Sequence, residues 1–188
     1  MGRGQCRPVK HTLVTERLVL RPFETSDQPA LQSLLGDPTV MEYSDEGPLN
    51  TNQVRTWLEA QMQVYQSGTG LGALAVLQKP DLVFIGYCGL FSCPDIHGNA
   101  EIEVGYRLLP TGWGQGFATE AALAIRHHAF TRLGLRRLVA LVDPSNRRSV
   151  RVAEKLGMRY ETDIMMEGYD YPDRLYTIHN PDGSKATP

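Results

Sequence analysis

The fold is decided by residues 110–121, which read PTGWGQGFATEA. The glycines of this stretch lie between a strand-like run that ends at Leu109 and a helical pattern that begins near Ala118. Glycine lets a backbone turn tightly and approach a ligand closely. The first N–H groups of a helix are unpaired and carry the positive end of its dipole. A strand, a glycine-rich turn and a helix in this order therefore predict a phosphate site.

Two common nucleotide-binding patterns do not fit this turn. The dinucleotide fingerprint needs a third glycine where the chain has Thr119, and the P-loop needs a Gly-Lys-Ser/Thr step that is absent. Three or four charge-assisted hydrogen bonds, each worth roughly 1.5–3 kcal/mol, would still hold a diphosphate well. Glycines that only turn the chain are an equal alternative at this point.

Strands and helices alternate on both sides of this turn. Periodicity and turn residues predict strands at 12–21, 72–78, 82–91, 100–109, 136–142, 158–166 and 174–179. Helices are expected from the cap Ser26 to Gly36, from the capping pair Asn50 and Gln53 to Gly68, from Ala118 to Gly134, and from Asn146 to Leu156. This order predicts a mixed α/β (α+β) domain with about seven strands and four helices, whose middle strands form antiparallel meanders.

Composition fits one compact domain with its own core, because the chain has 188 residues and is 41% hydrophobic. We expect that domain over residues 12–179, between flexible tails at 1–11 and 180–188. The net charge of -2 argues against a non-specific grip on nucleic acid. No apolar run approaches the roughly 18 residues of a membrane span. The three cysteines match neither a disulfide framework nor a zinc site, so we expect a cytoplasmic protein without a metal.

Two segments together resemble a known family. Residues 114–121, GQGFATEA, are similar to the acetyl-CoA pyrophosphate loop of the GNAT N-acetyltransferases, in particular of their RimJ/RimL-type branch. Residues 146–149, NRRS, and 154–158, EKLGM, are similar to the Asn-x-x-Ser helix and the Lys-Leu-Gly-Phe ending of that family. The resemblance runs from TERL at 15–18 to the last strand. It implies a GNAT-like fold whose central mixed sheet is splayed between strands four and five.

The resemblance also implies acetyl-CoA as co-substrate. Backbone N–H groups of the glycine loop would hold its pyrophosphate, and the fourth strand would pair with its pantetheine arm. The coenzyme-binding residues implied in this way are Tyr106, Arg107, Leu108, Gly114, Gln115, Gly116, Phe117, Ala118, Thr119, Asn146 and Ser149. There is one departure: Trp113 stands where much of the superfamily has Gln or Arg, which removes one polar contact to phosphate.

Two carboxylates are candidates for the base that amine acylation needs. Glu101 and Glu103 are two residues apart on the fourth predicted strand, so their side chains leave the same face. Carboxylates close together raise one another's pKa, which suits a base nearer neutrality. The alternative is that both face water. The resemblance favours Glu103, which matches the family carboxylate just before the Gly-Tyr pair.

The donor to the departing thiolate is less defined. Many relatives place a tyrosine at the position of Ala153, so that phenol is missing here. Ser149 is a candidate hydrogen-bond donor to the sulfur, although an ordinary capping or surface role fits it equally well. A thiol with a pKa near 8.5 can also leave without assistance.

Several other charged or titratable residues have simpler interpretations. His127 and His128 are adjacent on a helix, so they diverge and are expected at the surface; His97 is expected in a solvated loop. The arginines at 136, 137, 147, 148 and 151 form a basic cluster that either attracts the coenzyme phosphate or is a solvated face. Acidic residues of two loops hint equally at a cationic acceptor or at soluble loops: Glu42, Asp45, Glu46, Glu167, Asp170 and Asp173.

The resemblance therefore predicts an enzyme that transfers an acetyl group from acetyl-CoA to a primary amine, by direct attack with carboxylate assistance. The sequence leaves open whether the acceptor is a protein N-terminus, an amino acid or another small amine. It also leaves open whether the protein forms a homodimer. One alternative is a non-catalytic acyl-CoA sensor or scaffold of the same fold. A nucleotide-binding regulator is a third, disfavoured by the failed fingerprints.

Overall fold

The computed structural model describes residues 12–96, 98–165 and 171–181. Within these residues the chain forms eight strands and four α-helices. The strands are β1 Leu13–Val14, β2 Leu18–Pro22, β3 Gly72–Gln78, β4 Val83–Ile96, β5 Asn99–Leu108, β6 Arg137–Val142, β7 Arg159–Ile164 and β8 Asp173–His179. The helices are α1 Gln28–Leu35, α2 Thr51–Gln66, α3 Phe117–Thr131 and α4 Arg147–Lys155. The predictions made for the N-terminal tail, His97, Glu167, Asp170 and all but the first two residues of the C-terminal tail lie outside the described residues.

All eight strands belong to one mixed sheet, in the order β1-β2-β3-β4-β5-β6-β8-β7. Neighbouring strands are antiparallel except β5 and β6, which are parallel. These two strands pair at one position, Glu103 with Val139. Beyond that pair, residues 104–108 and 140–142 line an open cleft. The splay predicted between the fourth and fifth strands is therefore confirmed, at β5 and β6.

The eighth strand comes from the opening segment, residues 12–21, for which the sequence predicts a single strand. It forms a hairpin in which Leu13 pairs with Leu20 and Val14 with Val19. The turn is closed by Thr15, whose hydroxyl oxygen accepts the Leu18 N–H at 3.0 Å. Local periodicity could not reveal this hairpin, because both arms have the same partly alternating pattern.

The predicted end of the third strand at residue 91 is also wrong, since β4 continues to Ile96. β3 accompanies β4 only as far as Leu90, so Pro94 lies where β4 pairs on one side alone. The register with β5 is irregular between Cys93 and Ile96. Proline lacks an N–H and is tolerated at an edge or a bulge, which explains why the strand continues.

The sheet is covered by helices on both faces. One buried cluster packs α3 and α4 on the sheet, and a second packs α1 and α2 on its other side. β3 shows the division clearly, because Leu74 and Val76 join the first cluster whereas Ala73 and Ala75 join the second. The middle of the sheet is consequently dry on both faces, which gives the cleft between β5 and β6 a rigid frame.

Helix ends follow the predicted signals except at the start of α1. The capping box of α2 is present, with the Gln53 N–H donating to Asn50 Oδ1 at 3.1 Å and the Asn50 N–H to Gln53 Oε1 at 2.9 Å. The N-cap of α1 is Asp27 rather than Ser26, because a short 3-10 turn precedes the helix. His128 is buried on the core side of α3, so its predicted surface position is wrong.

Candidate functional site

A cleft of about 660 Å³ opens where β5 and β6 separate. The glycine turn, the start of α3 and one side of α4 form the rest of its wall. It brings together almost all of the residues singled out from the sequence; Gln115 and Glu101 do not line it. The predicted residues that line the cleft are Glu103, Tyr106, Arg107, Leu108, Gly114, Gly116, Phe117, Ala118, Thr119, Asn146 and Ser149.

The glycine turn is shaped to present backbone N–H groups. Gly114 and Gly116 have φ values of +73° and +82°, a left-handed conformation that favours glycine. Gly116 is the N-cap of α3, and its carbonyl accepts the first helical bond, from the Glu120 N–H at 3.0 Å. The N–H groups of residues 117–119 precede that bond and so have no partner within the helix. They are available to an anion in the cleft.

The glycine turn is braced from behind by the β1–β2 hairpin. Arg17 donates through Nε to Glu120 Oε2 at 2.7 Å and through a terminal nitrogen to the Gln115 carbonyl at 3.0 Å. The Thr15 hydroxyl donates to Glu120 Oε1 at 2.6 Å. Burial opposes ionisation of Glu120, but these hydrogen bonds outweigh it and lower its pKa. Sequence reasoning missed this role, for which an acidic residue in the first turn of α3 was the only available signal.

Trp113 connects the turn to α4. Its indole N–H donates to the Leu108 carbonyl at 2.7 Å, which fixes the ring against the end of β5. The guanidinium of Arg148 lies over that ring, 4.0 Å from its centre. Among the described residues, Arg148 has neither an ion pair nor a side-chain hydrogen bond. The positive charge of Arg148 therefore lies beside the turn without a neutralising partner in the described part of the chain. Trp113 itself has no free polar group for a phosphate, because its N–H is bound to the Leu108 carbonyl.

Glu103 is a partly buried carboxylate that lines the cleft. Its Oε1 accepts the Leu141 N–H at 3.3 Å and its Oε2 lies 3.7 Å from the Cys93 thiol, which donates to it. Burial raises the pKa of Glu103; these two donors and Arg107 oppose the rise, and Asp173 adds to it. A carboxyl with a raised pKa between two strands is suited to accept a proton.

The second carboxylate has a different environment. Glu101 forms an ion pair with Arg137, whose Nε lies 3.0 Å from Glu101 Oε1. Arg137 also pairs with Glu161 at 3.0 Å. The two glutamates share a strand face as expected, but only Glu103 lines the cleft, whereas Glu101 is held by Arg137.

A phenol and a hydroxyl face each other on the α4 side of the cleft. Tyr106 projects from β5, and its oxygen is buried without a full hydrogen bond among the described residues. Burial raises its pKa to about 12, and proximity to the Ser149 hydroxyl opposes that rise. Ser149 lies in the first turn of α4, where its N–H donates to the capping side chain of Asn146 at 3.1 Å. Ala153 is buried one turn further along.

The opposite end of the cleft has an aromatic wall. Trp57 of α2 packs on Tyr87 of β4 with ring centres 5.0 Å apart, and Tyr87 contacts Phe91 at 6.2 Å. Asp173 also lines this end, and its pKa is raised by burial and by the charges of Asp143 and Asp45. The wall was not found from the sequence, because Trp57 lies on α2 and its two partners on β4, and no local pattern shows that these elements meet.

Within residues 12–96, 98–165 and 171–181, no three histidine, cysteine or acidic side chains gather in a way that could hold a metal ion. None of the helices in the described part of the chain is both long and apolar enough to cross a membrane.

Comparison with known proteins identifies the family. A profile of the acetyltransferase (GNAT) domain matches residues 17–159. The chain is 37% identical to the Bacillus subtilis protein YkkB over 82% of its length and 89% of that protein. It is 34% identical to the N-acetyltransferase p20 of Bacillus licheniformis over 80% of its length and 83% of that protein. The chain therefore belongs to the GNAT family, and it is an N-acetyltransferase that uses acetyl-CoA.

Solved structures agree with this assignment. An acetyltransferase from Agrobacterium tumefaciens superposes with a TM-score of 0.76 at 31% identity, over 95% of this chain and 99% of that one. The ribosomal L7/L12 acetyltransferase RimL superposes with a TM-score of 0.72 at 23% identity, over 95% and 98% of the two chains. The second likeness concerns the fold alone. It agrees with the mixed α/β sheet expected from the sequence.

Proposed function

We propose that the cleft transfers the acetyl group of acetyl-CoA to a primary amine, and that Glu103 is the base. The observation that carries this proposal is the partly buried carboxylate of Glu103, with its raised pKa, at the single point where β5 and β6 pair. Its raised pKa brings it nearer the pH at which an amine must lose a proton. A general base contributes typically about 10²–10⁴ in rate.

Different parts of the cleft bind different parts of the coenzyme and so fix its orientation. Its pyrophosphate binds the unpaired N–H groups at the start of α3, with Arg148 nearby. The edge of β5 at residues 106–108 faces the opening rather than β6, so its backbone is available to the pantetheine arm. Asn146 caps α4 and lines the same wall. This arrangement directs the thioester toward Tyr106 and Ser149.

The acceptor enters from the aromatic end. Trp57, Tyr87 and Phe91 form a surface that suits the apolar or cationic body of an amine, because aromatic faces attract cations. Asp173 adds negative charge beside them. Protein N-termini, amino acids and other small amines all fit this chemistry, as expected for the RimJ/RimL-type branch. In every case the reaction is a direct attack of the neutral amine on the thioester carbonyl.

The test is thiol release from acetyl-CoA with a panel of acceptors: an N-terminal peptide, free amino acids and a polyamine. We expect acetyl-CoA to bind and at least one amine to release thiol at a rate proportional to enzyme. Binding of acetyl-CoA without thiol release across the panel would instead favour the sensor or scaffold. A panel in which only hydroxyl acceptors react would contradict the amine assignment.

A further inference from the structure

The Tyr106 side chain has no role in the reaction as described so far. Its oxygen is shielded from solvent and lacks a full hydrogen bond among the described residues, although the side chain borders the cleft. Buried tyrosine hydroxyls usually find a partner, and a buried polar atom without one calls for an explanation. A ligand atom in the cleft would supply that partner.

The position of this phenol relative to Glu103 indicates which atom it meets. The two residues are three apart on β5, so their side chains leave opposite faces of the strand. Glu103 lies opposite Phe91 of β4, on the side of the aromatic wall. Tyr106 packs with the buried cluster beneath α3 and α4, the helices proposed above to hold the coenzyme. The carboxylate therefore approaches the thioester from the amine side and the phenol from the sulfur side.

Helix α4 presents a small side chain to the cleft. Ala153 lines the cleft with only a methyl group, one turn beyond Ser149. Ser149 and Tyr106 line the same cleft, and the Ser149 hydroxyl opposes the rise in the pKa of the phenol. The sheet thus supplies a phenol, that of Tyr106, to the same cleft that Ala153 lines without one.

We propose that Tyr106 is the catalytic hydrogen-bond donor to the sulfur that leaves acetyl-CoA, and that Ser149 positions its phenol. The inference rests on the proposed acetyl transfer. The amine nitrogen forms a bond to the carbonyl carbon, and Glu103 takes its proton. The C–S bond then breaks, its electron pair stays on sulfur, and the Tyr106 O–H donates to that developing charge. A thiol is more acidic than this phenol, so the thiolate takes its proton afterwards from water and Glu103 returns its own to solvent.

Tyr106→Phe removes only the hydroxyl. We expect kcat to fall about 10²-fold, as for loss of one donor to a developing anion, while the Kd for coenzyme A changes less than twofold. Tyr176→Phe is the matched control, because Tyr176 is buried in β8 and does not line the cleft; it should leave kcat unchanged. Normal kcat in Tyr106→Phe would overturn the inference, and so would weakened coenzyme binding as its sole effect.

A second measurement separates hydrogen-bond donation from packing. Polyfluorinated tyrosine placed at position 106 has a more acidic phenol, which ionises within the assay range and can no longer donate. We expect a new alkaline loss of kcat that the same substitution at position 176 does not produce. An unchanged alkaline limb would overturn the role of Tyr106 as donor.

The role of Ser149 is tested by a double-mutant cycle. Ser149→Ala should lower kcat by a smaller factor than Tyr106→Phe and add little to it in the double variant, because both act through one hydroxyl. Fully additive losses would overturn the positioning role. Failure of the parent protein to release thiol would overturn the acetyl transfer itself, which is a different result from normal turnover in Tyr106→Phe.

Discussion

The sequence predicted which residues lie in the site, but not which groups those residues contact. The spacing of Glu101 and Glu103 correctly placed both on one face of a strand, but a local pattern carries no information on what faces them across the sheet. Arg137 beside Glu101 and the Leu141 N–H beside Glu103 come from β6, more than thirty residues away. The difference between these two glutamates is therefore a property of sheet pairing.

Glu103→Gln should lower kcat/KM about 10²–10⁴-fold at neutral pH, because the amide cannot accept a proton. Acetyl-CoA affinity should persist, since the amide keeps size and polarity. The rate should recover partly at high pH, where the free amine needs no base. Thiol release across a pH series gives the measurement, and Glu101→Gln, outside the cleft, is the control. Full activity of Glu103→Gln at neutral pH would remove this residue from the mechanism.

Glu103→Gln should lower activity but raise the free energy of unfolding at high pH. Burial raises the folded-state pKa of Glu103 above its ordinary value, so its contribution to stability is present at low pH and is lost as pH rises through the raised pKa. Glu103→Gln removes the cost of burying the charge. Urea unfolding should show the variant more stable than the parent at pH 8 and the gain shrinking toward pH 5. A gain independent of pH would contradict the buried charge as its cause.

At the scale of elements, the sequence predicted the helices well and the connections between them poorly. Capping residues and glycines are local signals, and they located α2, α3 and α4 to within a few residues. The stacking of Arg148 on Trp113 joins α4 to the glycine turn across 35 positions, and no local pattern encodes it. From the sequence, Arg148 was only one member of a basic cluster.

Arg148→Ala should weaken coenzyme A binding about tenfold or more, the worth of one charge-assisted contact. The loss should be equal for 3′-dephospho-coenzyme A and absent for pantetheine, which lacks phosphates, because the guanidinium stands beside the pyrophosphate loop. Arg147→Ala is the control, since Arg147 is exposed and does not line the cleft. Calorimetric titration of the three ligands makes the comparison. A loss confined to coenzyme A itself would assign Arg148 to the ribose phosphate instead.

At the scale of the whole molecule, the order of elements identified the fold class because alternating strands and helices have few compact arrangements. The sequence did not reveal that the opening segment is a hairpin that braces the glycine turn through Arg17 and Glu120. That contact joins the first strands to α3 across about a hundred residues. The coenzyme site therefore depends on contacts between the N-terminal hairpin and α3. Because these segments are distant in the chain, binding at this site should stabilise the whole domain.

Acetyl-CoA should therefore raise the melting temperature, because a ligand that binds only the folded state at 100 times its Kd adds about 2.7 kcal/mol. Gly116→Val should abolish this shift, since a branched side chain strains the left-handed conformation of the turn, and its Cβ would lie 3.5 Å from Arg17 Nη2, which braces the turn. Gly134→Val is a matched control: Gly134 follows the same helix, has a φ of +65° and has no neighbour within 4 Å of an added Cβ.

Both valine variants should melt below the parent protein, because both force a branched residue into a conformation that disfavours it. Only Gly134→Val should regain stability when acetyl-CoA is added, since its strain lies at the far end of α3. Thermal melts with and without acetyl-CoA measure both effects in one experiment. A normal coenzyme shift in a folded Gly116→Val protein would move the pyrophosphate away from the glycine turn, and loss of the shift in both variants would trace it to the stability of α3 instead.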